Sequence, residues 1–163
     1  SSDLSVITAN GIAITNDVTL TGDSSLGGSG EATLSGKVDG EHALIVDSSG
    51  VVTFQEVVGG VDPLASLEAK GEGSLIIGNV TTVGAQHYGT GTNTFTGTAY
   101  RTLDESFEVV NATELTNSST SIIVGSGNIT LGAVDGSSNF TVSSTGNVSI
   151  GNMGVNKIGR AHV

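Results

Sequence analysis

The chain has 163 residues, one proline, no cysteine and a formal net charge of −11. Without cysteine there is no disulfide framework and no thiolate metal site, and five scattered basic residues cannot form the footprint that neutralises nucleic-acid phosphates. Gly, Ser and Thr make up 66 residues, yet mean hydropathy is +0.17 and 19 valines run through strand-like settings, which opposes disorder.

Taken in order, the N-terminal SSDLSV lacks an initiator Met, a basic region and an apolar core, so it is not a signal peptide. The pattern is already under way at residue 1, so the chain reads as a fragment open at both ends. Short strands follow with one grammar, apolar–Thr/Ser–apolar: Val18-Thr19-Leu20, Ala32-Thr33-Leu34 and Val52-Thr53-Phe54. Alternation across a strand sends the apolar pair inward and the hydroxyl outward. Val61–Gly71, with Leu64, Leu67 and Ala69, is the one place for a turn or two of helix. Thr90, Thr92, Thr94, Thr96 and Thr98 then alternate, and on one straight strand all five hydroxyls face the same side, with Phe95 buried. Ile129-Thr130-Leu131, Phe140-Thr141-Val142 and Val148-Ser149-Ile150 return to the first grammar. No apolar run reaches the roughly 18–20 residues of a membrane-spanning helix.

The chain also resembles itself about 96 residues apart. Gly30–Phe54 aligns with Gly127–Ile150 when Ser35 is skipped, with 11 identities in 24 pairs, among them Val38/Val134, Asp39/Asp135 and Gly40/Gly136. Strand spacing of 8 to 12 residues also suits a β-sandwich. Strands of three to five residues and a long internal repeat favour an all-β parallel β-helix (β-solenoid) over residues 1–157, whose similar coils bury their apolar sides against one another. At 20–25 residues per coil the chain makes about seven coils, a rod of roughly 35 Å.

Ala43–Tyr88 carries Val58-Gly59-Gly60, Pro63-Leu64-Ala65-Ser66-Leu67 and Val80-Thr81-Thr82-Val83-Gly84-Ala85-Gln86 with Tyr88. In that order they resemble the repeats of filamentous-haemagglutinin-like bacterial adhesins, and GNITLGAVDG at Gly127–Gly136 is similar to the next unit. The resemblance implies a right-handed β-helix in the shaft of a large protein, secreted or displayed at the bacterial outer surface. Such a shaft is monomeric within its chain and contacts cell-surface glycans or proteins multivalently. A viral tail fibre or tail spike is the alternative, with a carbohydrate-active or ice-binding solenoid behind it. The final Ile158-Gly159-Arg160-Ala161-His162-Val163 looks like a translated sequencing adapter, so 158–163 is set aside from the fold.

Few residues offer chemistry. His42, His87 and His162 have no metal-ligand spacing. Asp39 and Asp135, each before glycine, read as turn residues bonding local backbone. Asp104-Glu105 is the only adjacent acidic pair, and on a strand its members point to opposite faces. Gly27-Gly28-Ser29-Gly30 is a broken echo of a calcium-binding nonapeptide without its aspartate, although scattered surface carboxylates leave Ca²⁺ binding open. No nucleophile elbow precedes a helix. The expectation is a non-enzymatic protein with no catalytic, cofactor-binding or metal residue, no nucleic-acid partner and no membrane insertion by this segment.

Overall fold

The structure is a computed structural model that describes residues 6–154. All regular structure is β. The first coil holds β1 (Val6–Ala9), β2 (Ile12–Ile14) and β3 (Val18–Thr19), and the second β4 (Ser24–Gly28), β5 (Ala32–Leu34) and β6 (Val38–Asp39). The third has β7 (Ala43–Ser48) and β8 (Val52–Phe54), the fourth β9 (Ser66–Ile77) and β10 (Val80–Thr82), and the fifth β11 (Gln86–Phe95) and β12 (Ala99–Thr102). Then come β13 (Phe107–Val109), β14 (Thr113–Leu115) and β15 (Ser119–Ile123), followed by β16 (Ile129–Leu131), β17 (Val134–Gly136) and β18 (Asn139–Ser143), with β19 (Val148–Ile150) opening a further coil.

Every pairing is parallel and joins residues 18 to 23 apart in the chain, so each strand lies on the equivalent strand of the previous coil. This is a parallel β-solenoid of about seven coils. The first face runs β1-β4-β7-β9-β11-β13-β16-β19. The second runs β2-β5-β8, continues through the C-terminal halves of β9 and β11, and ends with β14 and β17. The third joins β3-β6 to β10-β12-β15-β18 through single bridges made by Val58 to Val38 and Val80.

The grammar of the sequence becomes columns of side chains in the lumen. Val18, Val38, Val58, Val80, Tyr100, Ile122 and Val142 stack in register down the third face, all buried. Leu34, Phe54, Ile77, Phe95 and Leu115 form a column on the second. The hydroxyls between them, such as Thr33, Thr53, Thr130 and Thr141, sit on the outer side. Each buried Val or Leu is worth roughly 1.5–3 kcal/mol relative to exposure, which offsets the entropy of ordering a chain so rich in glycine. In the middle coils Tyr88, Phe95, Tyr100 and Phe107 fill the lumen, with Phe95 and Tyr100 stacked at 4.3 Å and Tyr88 edge-on to Phe95 at 5.3 Å.

Two expectations are corrected. Val61–Gly71 makes no helix: Val61–Pro63 lie in a loop, and from Ser66 the chain is strand β9. The Thr90–Thr98 array does not share one side, because the register shifts between Thr90 and Thr92 at a corner of the coil. Thr90 turns inward and donates to Asn93 Oδ1 at 2.7 Å, while Thr92, Thr96 and Thr98 stay exposed. Residues 158–163, including His162, lie outside the described residues.

Candidate functional site

A recurrent set of polar contacts lies at the corners. Where the backbone turns, N–H groups of one coil lose their ladder partners, and Asp or Asn side chains of the preceding coil accept from them. Asp17 Oδ1 accepts from Lys37 N at 2.8 Å and Asp23 Oδ1 from Ala43 N at 2.9 Å. Asn79 Oδ1 takes both Thr98 N and Ala99 N, at 2.7 and 3.0 Å, and Asp104 Oδ1 takes Ser126 N at 3.0 Å. Much of the acidity is therefore structural.

Asp39 belongs to this set and Asp135 does not. Asp39 Oδ1 accepts from Val61 N and Asp62 N of the next coil, at 2.9 and 3.3 Å, while Asp135 Oδ1 accepts from Gly136 N at 2.7 Å. Only the second bond is local; the first staples two coils. Asp135 faces outward in register with Glu114, which no spacing rule in the sequence reveals. The two share a groove of about 420 Å³ with Thr92 and Thr94. The Asp135 carboxylate rests against Gly154 in the following coil, in the space that a side chain there would need.

His42 is half-exposed, its Nδ1 3.7 Å from Asp23 Oδ1. His87 lies on the outer side of β11, with Nδ1 3.0 Å from Glu108 Oε2 and Glu68 as its register partner on the other side. Among the described residues no group of three or more His, Asp or Glu side chains is placed to hold a metal ion.

Asp104 and Glu105 are not on a strand. They occupy the bend between β12 and β13, both exposed, and both line a groove of about 510 Å³ with Glu41, Pro63, Ala65, Val83, Gly84 and Leu103. A second groove of about 370 Å³ continues over Pro63, Val83 and Leu103 toward Arg101 and Ile123. Val83 and Leu103 are 49% and 63% exposed, and Val61, in the loop with Pro63, is 76% exposed. This apolar ledge escaped the sequence reading because its residues are one coil apart and follow no local period.

All six aromatic residues are buried, so no ring is offered to a sugar face. Inside, the segment that carries the family resemblance forms one network. Tyr88 Oη donates to Gln86 Oε1 at 2.8 Å, and Gln86 Nε2 donates to Arg101 O at 2.7 Å and Thr82 Oγ1 at 3.2 Å. Thr82 Oγ1 donates to Gly84 O at 2.6 Å, tying down the corner from the third face to the first. Burial holds the hydroxyls of both Tyr88 and Tyr100 well above the usual phenol range; for Tyr88 the neighbouring Tyr100 adds to this, and for Tyr100 the Gly97 N–H opposes it.

No protein-family model, curated protein or solved structure matches this chain.

Proposed function

We propose that the chain is a segment of the shaft of a large bacterial adhesin of the filamentous-haemagglutinin-like kind, secreted or displayed at the cell surface. The observation that carries this reading is a lumen filled by one chain's own side chains: the columns from Val18 to Val142 and the ring cluster around Phe95 close without a second chain. A solenoid that completes its own core extends by adding coils, which suits a projecting rod. The Thr82–Gln86–Tyr88 network gives the resembling motif a structural reason, since each of its polar members holds the coil corner. On this reading the rod is a non-enzymatic spacer, and binding comes from display and from weak contacts repeated along its length.

Long-read sequencing of the flanking gene tests the proposal. A secretion domain and many further coils of the same grammar are expected, and sedimentation of the purified segment is expected to give a monomer. Neighbouring tail or capsid genes, or a stable trimer, would replace the adhesin by a viral fibre.

A further inference from the structure

We infer that the ledge at the corner between the third and first faces is a docking groove for an extended cationic peptide in which apolar side chains alternate with Lys or Arg. Two of the exposed large apolar side chains, Val83 and Leu103, gather at this corner with Pro63. Val83 N donates to Leu64 O at 2.8 Å and Gly125 N to Leu103 O at 2.9 Å, so the ledge rises one coil at a time on a fixed backbone. From Pro63 through Val83 and Leu103 to Ile123 it crosses roughly 14 Å at ~4.8 Å per coil, the length of about four extended residues.

Charge decides the occupant. The larger groove is lined by Glu41, Asp104 and Glu105 and by no Lys or Arg. Asp104 already accepts from Ser126, whereas Glu41 and Glu105 have no ion-pair partner among the described residues. Arg101 lines the adjoining groove, not this one. A second copy of a chain of net charge −11 would bring carboxylates onto carboxylates. An apolar side chain seated between Pro63, Val83 and Leu103, flanked by cations reaching Glu41 and Glu105, satisfies both halves of the site. The inference is independent of the adhesin reading.

The test is fluorescence anisotropy with a dye-labelled Lys-Leu-Lys-Leu-Lys peptide, compared with Lys-Gly-Lys-Gly-Lys and Glu-Leu-Glu-Leu-Glu. The first is expected to bind, and the other two at least about tenfold more weakly, a difference of ~1.4 kcal/mol. Leu103→Ser, its milder partner Val83→Thr, and the pair Glu41→Gln/Glu105→Gln are each expected to weaken binding by about tenfold. The remote pair Glu56→Gln/Glu72→Gln, which removes the same charge, is expected to change it less than about twofold. Circular dichroism confirms that each variant folds, and Val83→Thr carries the apolar arm if Leu103→Ser does not. Equal binding of the glycine peptide, an equal loss in the remote pair, no binding of the leucine peptide, or a dimer that closes the groove would each overturn the proposal.

Discussion

Asp39 and Asp135 occupy the same Val-Asp-Gly corner on two different faces of the coil. Asp39 ends β6 on the third face, and Asp135 lies in β17 on the second. The glycines that follow adopt nearly the same left-handed conformation, φ 121° at Gly40 and 124° at Gly136. The internal repeat is therefore a repeat of strand and corner, out of phase with the coil. Likewise Ala32–Leu34 builds the second face, while its aligned partner Ile129–Leu131 builds the first. One grammar serves all three sides because each side makes the same demand: two apolar residues in, one hydroxyl out, then a turn.

Those corners predict a sharp division among the glycines. At Gly40 the positive φ disfavours any side chain, and a Cβ would also press on the backbone of Leu20 one coil below. Gly40→Ala is expected to cost about 1–3 kcal/mol. A Cβ at Gly22 meets nothing within 4 Å; Gly22→Ala should be neutral, or stabilising by up to about 1 kcal/mol through the unfolded chain. Urea unfolding of both variants checks this, and equal losses would contradict it.

A buried hydroxyl gives a prediction of opposite sign. Thr113 is buried in the column Leu75–Asn93–Thr113–Val134, and its Oγ1 has no hydrogen-bond partner among the described residues. Its neighbour Asn93 spends its amide on Ala112 O and accepts from Thr90. Thr113→Val keeps the shape and removes the unsatisfied group, so it should raise stability by about 1 kcal/mol. A fall in melting temperature would show that the hydroxyl is solvated in the folded protein.

The strands and the direction of their side chains were legible because a three-residue alternation is a local signal. Ala32-Thr33-Leu34, Val52-Thr53-Phe54, Ile129-Thr130-Leu131 and Phe140-Thr141-Val142 all form the expected strands, apolar residues inward. The same local reasoning failed where the chain turns. Thr90 to Thr98 looks like one strand, but the corner after Thr90 resets the alternation. The apolar residues of Val61–Gly71 suggested a helix, yet Leu64 and Leu67 are buried because they meet Thr82 and Gln86 of the next coil. The docking ledge was invisible for the same reason, since Ala65, Val83 and Leu103 become neighbours only after the chain has gone round.

The Thr82–Gln86–Tyr88 network should behave as a unit. Gln86→Leu leaves the Tyr88 hydroxyl buried without its acceptor and removes the side-chain donor to the Arg101 carbonyl. A loss of about 1–3 kcal/mol is expected. Tyr88→Phe in the same background removes the stranded hydroxyl, so the double variant should lose less than the sum of the two single changes. Additive losses in a double-mutant cycle would show that the bond contributes nothing beyond packing.

Alkaline pH should unfold the solenoid through its only two tyrosines. In the unfolded chain each ionises near pH 10. In the folded protein burial raises both, so the lumen holds protons that the unfolded chain has released. The stability this represents is fully present below pH 10 and is lost as pH climbs from 10 toward the folded values. The loss approaches about 1.4 kcal/mol per pH unit for each tyrosine. Near-ultraviolet absorbance should therefore show phenolate only as circular dichroism shows unfolding. Tyr88→Phe/Tyr100→Phe should flatten the pH dependence, even though loss of the 2.8 Å bond from Tyr100 Oη to Ile77 O lowers stability at neutral pH. Phenolate absorbance in a still-folded protein would mean that the lumen admits hydroxide and that its rings are less tightly enclosed than their columns imply.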